Sequence, residues 1–410
     1  MAVHPVENIR GTASEHLAGR RIVLAVSGSI AAVKCVELSR ELIRHGASVH
    51  AVMSDAARGI ITPEAMHFAT GNPVITKLTG AVEHVALLGD VPEKADLLLV
   101  APATANTVSK IALGIDDGPV TTCATVAVGT RTPIVVAPAM HDAMLDHPIV
   151  AEHAGVLVDR LGVTWVEPKH DEKKAKLADV DAIVDAVIHR LAQDDGPLAG
   201  KRCLVIGGAT AEPVDPVRVI TNRSSGKSAL ILAQELRRLG ADVQLWYGHA
   251  TEPVPSALAS FTTRFATHAE LMRRVEDTDG TFDQVWMPAA INDYAPEART
   301  EKIGSEHDGL VLPMNPLPKV IEAARKRWKN AVLVAFKAES DAARLEERAR
   351  ERMARYKAQW VVANSAEAFG SDDTQLLLIG PDDSRPFTGA KRRVLADVAR
   401  AVAEGRTVPA

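Results

Sequence analysis

Arg21-Ile-Val-Leu-Ala-Val-Ser27-Gly28-Ser29 is an apolar, β-rich run that breaks at a glycine between two serines. An Ala-rich helical segment follows and ends at His45-Gly46, where the glycine suits the position just past a helix. A second apolar run, Ala47-Ser-Val-His-Ala-Val-Met53, comes next. The pattern is strand, helix, strand. It recurs about 180 residues later, from Lys201-Arg-Cys-Leu-Val-Ile-Gly207-Gly208 through a polar loop into Gly226-Lys-Ser-Ala-Leu-Ile-Leu-Ala-Gln-Glu-Leu-Arg-Arg238. Leu239-Gly240 stops that helix before Ala241-Asp-Val-Gln-Leu-Trp-Tyr247.

Further buried-type strands read at Asp96–Val100, Pro133–Ala137, Val285–Met287, Val332–Ala335 and Trp360–Val362. Unbroken apolar runs separated by helical stretches predict parallel sheets covered on both faces. The Gly/Pro-containing polar stretch Gln193-Asp-Asp-Gly-Pro-Leu-Ala-Gly200 separates the two halves. We therefore expect an α/β protein of two different doubly wound domains, residues 1–192 and 200–410, joined by a linker at 193–199.

Composition narrows the class. The chain has 410 residues, and 47 Lys plus Arg against 52 Asp plus Glu give a net charge of −5. That balance argues against a nucleic-acid binder. Charged residues make up 24% and apolar residues 47%, which describes a globular chain. No apolar run is long enough to span a bilayer. Three cysteines without a CxxC exclude a disulfide framework or a cysteine-rich metal site. A cytoplasmic enzyme with small-molecule substrates is expected.

Ligands of doubly wound sheets bind where strands end and helix N-termini offer free N–H groups. Ser27-Gly28-Ser29-Ile30 lacks the GxGxxG spacing of a dinucleotide site, so NAD is not expected. Its two small hydroxyls and one glycine fit a single phosphate, as in a mononucleotide, or an ordinary strand-to-helix turn. In the second half, Gly226-Lys227-Ser228 resembles the end of a phosphate-binding P-loop, but Thr221 stands where that motif needs glycine. What remains, Thr221-Asn222-Arg223-Ser224-Ser225-Gly226-Lys227, is rich in donors suited to an acyl phosphate or phosphate ester. Ser225 could equally be a plain helix cap. None of the 14 histidines has a familiar metal-ligand spacing, while His84 and His141 lie in strand-end loops, where chemistry concentrates.

Several ordered motifs resemble known families. Ser27-Gly-Ser-Ile-Ala-Ala-Val-Lys34, Glu83-His84-Val85, Ala101-Pro-Ala-Thr-Ala-Asn106 and Pro138-Ala-Met-His141 resemble the flavin-dependent cysteine decarboxylase family. Glu212-Pro-Val-Asp-Pro-Val-Arg218, the 221–227 loop, Ala289-Ala-Ile-Asn-Asp-Tyr294 and Lys302 are similar to phosphopantothenate–cysteine ligases. Both sets in this order resemble the bifunctional coenzyme A biosynthesis family, in wording closer to archaeal than bacterial members.

The resemblance implies two Rossmann-like domains, the first flavodoxin-like, and two consecutive reactions. The ligase would use CTP and Mg2+ or Mn2+ to activate 4′-phosphopantothenate as an acyl-cytidylate, which the cysteine amine then attacks. Lys302 would hold phosphate charge, Asp293 would fix nucleotide or metal, and Asn222 would steady the acyl-cytidylate. Phe336, Lys337 and Asn364 would line the nucleotide region. The decarboxylase would use FMN to oxidise the cysteine side chain so that carbon dioxide can leave, and the resulting enethiol would then be reduced by the same flavin and protonated to 4′-phosphopantetheine. His84 would orient substrate or move a proton; Gly28, Ser29, Ser54, Thr104 and Asn106 would contact the flavin; His141 would contact substrate. His141 replaces the family's usual Asn. The clamp cysteine of many bacterial members is absent from Glu167–Lys176, which leaves His170 or a different mechanism for the last protonation. The resemblance further implies a homo-oligomer with trimeric decarboxylase and dimeric ligase contacts, a dodecamer. The competing readings are a non-catalytic regulatory flavoprotein, and a ligase fused to a flavin decarboxylase of another substrate.

Overall fold

The computed structural model describes residues 4–304, 309–339, 344–365 and 373–405. The chain divides between Asp194 and Asp195 into two compact units. The helix Val180–Asp195 runs into the stretch read above as linker.

In the first unit β1 (Arg21–Val26), β2 (Ser48–Met53), β3 (Leu97–Ala103), β4 (Ile134–Pro138) and the short β5 (Thr164–Trp165) form a parallel sheet. The order is β2-β1-β3-β4-β5, the flavodoxin-like arrangement. Every residue of β3 and β4 is buried, because helices cover both faces. Ile22, Leu24 and Val26 pack with Leu38 and Leu42 of the helix Cys35–Arg44 and with Ile183 and Val187 of Val180–Asp195. Val23 and Ala25 face the other way, into a core shared with Cys123 and Ala124 of the helix Pro119–Gly129. Gly46, at φ +104, ends Cys35–Arg44 as its position predicted, and a Cβ there would meet the Ala18 backbone at 2.8 Å.

The second unit holds β6 (Arg202–Gly207), β7 (Asp242–Tyr247), β8 (Thr262–Arg264), β9 (Gln284–Met287), β10 (Val332–Glu339) and β11 (Trp360–Ser365). These six are parallel, in the order β8-β7-β6-β9-β10-β11. β12 (Asp373–Ile379) and β13 (Ser384–Ala390) extend the sheet antiparallel. Burial alternates along the first residues of β12, so it lacks the unbroken apolar run that marks the parallel strands. Both units are thus Rossmann-like and doubly wound. Their strand order reverses between β1 and β3, and again between β6 and β9; a crevice for ligand opens at such points, beyond the carboxyl ends of the strands.

Candidate functional sites

At the first reversal, the Ser27 hydroxyl donates to the Pro102 carbonyl (2.7 Å) and accepts the Thr104 N–H (3.1 Å). Two strand-end loops are thereby locked side by side. Ser29, Ser54 and Thr104 follow β1, β2 and β3, and each accepts a backbone N–H of the helical turn it opens: Ala31 at 3.4 Å, Ala57 at 3.2 Å and Thr107 at 3.4 Å. These hydroxyls cap helices, and they stand at the strand ends where a flavin would lie. Gly28 has a packing reason of its own, since a Cβ there would overlap the Ala56 Cβ. Asn106 is exposed in the first turn of Ala105–Leu113.

His84 lies in the first turn of Glu83–Leu88. Its Nδ1 is buried and has no hydrogen-bond partner among the described residues. Leaving such a group unsatisfied costs about 1–3 kcal/mol, so a site that keeps it fits a bound group or substrate that supplies the partner.

His141 is exposed, and its Nδ1 accepts the Ala143 N–H (3.2 Å), capping Asp142–Leu145. The hairpin of Lys169–Asp171 and Lys174–Lys176 lies antiparallel on Met140–His141. It carries His170, whose Nδ1 stands 3.1 Å from Asp142 Oδ1. The three cysteines cannot stand in for a clamp residue: all are buried, and burial pushes the Cys35 and Cys123 thiols up to about 12.

At the second reversal a cavity of about 290 Å³ opens, lined by Gly208, the loop and helix start Ser224–Ala229, Pro288–Ile291, Asp293, Phe336, Arg352 and Asn364. Gly226 enters Lys227–Arg238 at φ +75, and a Cβ there would fall on the Tyr247 hydroxyl. The loop therefore needs glycine at this position for reasons of backbone and packing. Asn222 Nδ2 donates to the Ala290 carbonyl (3.1 Å), tying the donor-rich loop to the cavity wall. Buried Asn292 braces the same corner through Thr210 and Ile220.

Asp293 is paired with Lys319, whose Nζ donates to Oδ1 at 2.5 Å. No group of three metal-binding side chains occurs among the described residues. A metal here would rest on Asp293 and on the phosphates of a nucleotide, a common arrangement for Mg2+. Lys337 lines a smaller cavity of about 120 Å³ that shares Asp293, Phe336 and Arg352 with the first. Lys302 is not brought to Asp293. It is exposed on the loop 296–304 and lines a separate depression beside Glu297, Arg299 and Asn315. Sequence reasoning missed Arg352: its half-buried guanidinium lines both cavities and has no hydrogen bond or ion pair among the described residues.

Residues 10–192 match the family described as Flavoprotein, and residues 198–405 match the DNA/pantothenate metabolism flavoprotein C-terminal domain. The chain is 45% identical over 399 residues to the coenzyme A biosynthesis bifunctional protein CoaBC of Thermococcus kodakarensis, covering 96% of this chain and 97% of that one. The Methanocaldococcus jannaschii protein of the same name is 35% identical, with 96% and 95% covered. That of Bacillus subtilis is 31% identical over 88% of this chain and 91% of its own. No helix among the described residues is long and apolar enough to cross a membrane.

Proposed function

The chain belongs to the coenzyme A biosynthesis bifunctional protein family, and from that membership we propose the order and chemistry of its two steps. It is a bifunctional enzyme, with a phosphopantothenate–cysteine ligase and a phosphopantothenoylcysteine decarboxylase in one chain. The match spans both units end to end, which favours neither a regulatory flavoprotein nor a decarboxylase for an unrelated substrate.

The ligase acts first. CTP and a divalent cation occupy the cavity at the β6/β9 reversal, where the 224–228 loop and helix N-terminus meet phosphates. Asp293 fixes the metal or nucleotide. Phe336, Lys337 and Asn364 surround base and phosphates, and Arg352 supplies a fixed cation. Neutralising charge between the substrate carboxylate and the triphosphate lets the carboxylate attack the α-phosphorus and expel pyrophosphate, giving the acyl-cytidylate. Asn222, held on the Ala290 carbonyl, steadies it while the cysteine amine displaces CMP. Lys302 meets developing phosphate charge with its long side chain, from the exposed loop 296–304. The observation that carries this step is the cavity itself, with a donor loop, a carboxylate and, on its walls, a guanidinium that has no ion pair among the described residues.

FMN, when bound, supplies the two-electron chemistry that labilises the carboxylate of phosphopantothenoylcysteine. Gly28, Ser29, Ser54, Thr104 and Asn106 hold it at the β1/β3 reversal. The His84 ring nitrogen orients the substrate or carries its proton. His141 holds the substrate beside the hairpin that bears His170. Exposed apolar residues flank two of these positions, Ile30 and Val33 after Ser29 and Val82 and Val85 around His84. They support a homo-oligomer in which a second copy closes the crevice; the trimer-based, dodecameric assembly with paired ligase units is proposed from family membership alone.

The test supplies purified protein with 4′-phosphopantothenate, cysteine, Mg2+ and either CTP or ATP, and follows products by mass. The expected result is 4′-phosphopantetheine with CTP. Turnover with ATP alone would refute the nucleotide assignment, and arrest at phosphopantothenoylcysteine the decarboxylase roles.

A further inference from the structure

Asp215 sits in the turn between Ala211–Pro213 and Val219–Thr221. Its side chain has no exposed surface. Oδ1 accepts the N–H groups of Val217 and Arg218, both at 2.8 Å, a local turn that Asn or Ser could also make. Oδ2 does something else. It accepts the N–H of Ile303 (3.1 Å), 88 residues away, and an Arg218 guanidinium N–H (2.6 Å). The same Arg218 nitrogen donates to the Ile303 carbonyl (3.1 Å), and Arg299 N–H donates to the Val214 carbonyl (2.9 Å). The Ile303 peptide is therefore gripped at both its N–H and its C=O. Burial alone would raise the Asp215 carboxyl. The N–H groups of Ile303, Val217 and Arg218, with the Arg218 side chain, hold it well below the usual range instead.

The residue before this anchor is Lys302. Residues 297–302 are exposed, Ala298 and Arg299 included, while Ile303 is buried at 6% exposure. We infer that Asp215 is a positioning residue of the ligase reaction, fixing the root of the Lys302 loop so that the lysine meets phosphate charge from one defined point. The inference rests on the reading of Lys302 as a cation of the ligation. A long, flexible side chain is effective only when its backbone is restrained, and a small displacement of a reacting constellation is costly.

Asp215→Asn keeps the Oδ1 turn but sets an amide against the Ile303 N–H and Arg218. In full-length protein, ligation is measured for Asp215→Asn, Lys302→Ala and the double variant, as kcat and as KM for nucleotide and cysteine. Decarboxylation of added phosphopantothenoylcysteine is followed in parallel. We expect Asp215→Asn to lower ligation kcat about 10- to 100-fold, with cysteine KM and decarboxylation unchanged. In the Lys302→Ala background the same substitution should cost nothing more. An equal further loss in that background would show a role independent of Lys302 and overturn the inference, while leaving Lys302 in place. Wild-type ligation by Lys302→Ala would remove the Lys302 reading and the inference with it. If Asp215→Asn does not fold, Asp215→Ser, which keeps a turn acceptor, completes the cycle.

Discussion

Arg352 belongs to the helix Leu345–Tyr356, whose sequence Leu-Glu-Glu-Arg-Ala-Arg-Glu-Arg-Met-Ala-Arg-Tyr looks like a solvated, salt-bridged surface. Two neighbours fit that reading: Arg350 pairs with Glu346 on its own helix, and Arg355 with Glu322 of a neighbouring helix. Arg352 departs from it by lining the cavity with no ion pair among the described residues. One-dimensional charge patterning cannot tell these arginines apart, because the difference lies in what faces them across space. A hydrogen bond to a charged group is worth about 1.5–3 kcal/mol. Arg352→Gln should therefore weaken nucleotide binding about 10- to 100-fold and spare decarboxylation. Calorimetric titration with CTP checks it, and an unchanged Kd would remove Arg352 from the site. Gly28 teaches the converse lesson. Its place in a strand-end turn was legible, whereas its crowding against Ala56 was visible only once the two were packed together.

At the scale of elements, the sequence was read most surely where burial is complete. β3, β4 and β9 are buried throughout and β6 on all but its first residue, and their interiors read as unbroken apolar runs. Missed were β12 and β13, which are half solvated, and the three-residue hairpin strands, too short to show a period. β2 supplies a prediction of its own. His50 on this edge strand accepts the Arg21 Nε–H at Nε2 (3.1 Å), so the ring must be neutral there. Burial, aided by the Arg21 charge, lowers its pKa to about 4 from 6.5. The unfolded chain takes up this proton below pH 6.5 while the folded chain resists it until about 4, so stability falls as pH drops through that window. Discounting for partial exposure and the surface setting of Arg21, the effect is on the order of 1 kcal/mol. Urea unfolding at pH 6.5 and 4.5, read on the N-terminal unit, should show His50→Gln losing less stability on acidification than wild type. Parallel losses would contradict the assignment.

For the whole molecule, the apolar cores among the described residues divide cleanly. Two draw only on residues up to Leu191 and two only on residues from Leu198 onward. Among the described residues, no apolar core draws on both units. What each unit leaves uncovered then becomes informative. A single exposed apolar residue is ordinary on a protein surface. Ile30, however, is 78% exposed directly after a proposed flavin contact, and Val82 and Val85 bracket the histidine with the unsatisfied ring nitrogen. Apolar side chains beside a site that still lacks a polar partner are what a crevice completed by a second copy would show. Ile30→Asp places a charge where that copy would pack, while its own fold, with the side chain mostly in water, loses little. Light scattering with simultaneous visible absorbance should find a smaller particle whose flavin content has dropped by about tenfold or more, since central contacts dominate an interface. Ligation should persist, because its cavity lies wholly within the other unit. A variant of unchanged mass and full colour would mean that Ile30 faces solvent in the working enzyme, and a smaller particle of full colour would mean that one copy suffices to hold the cofactor.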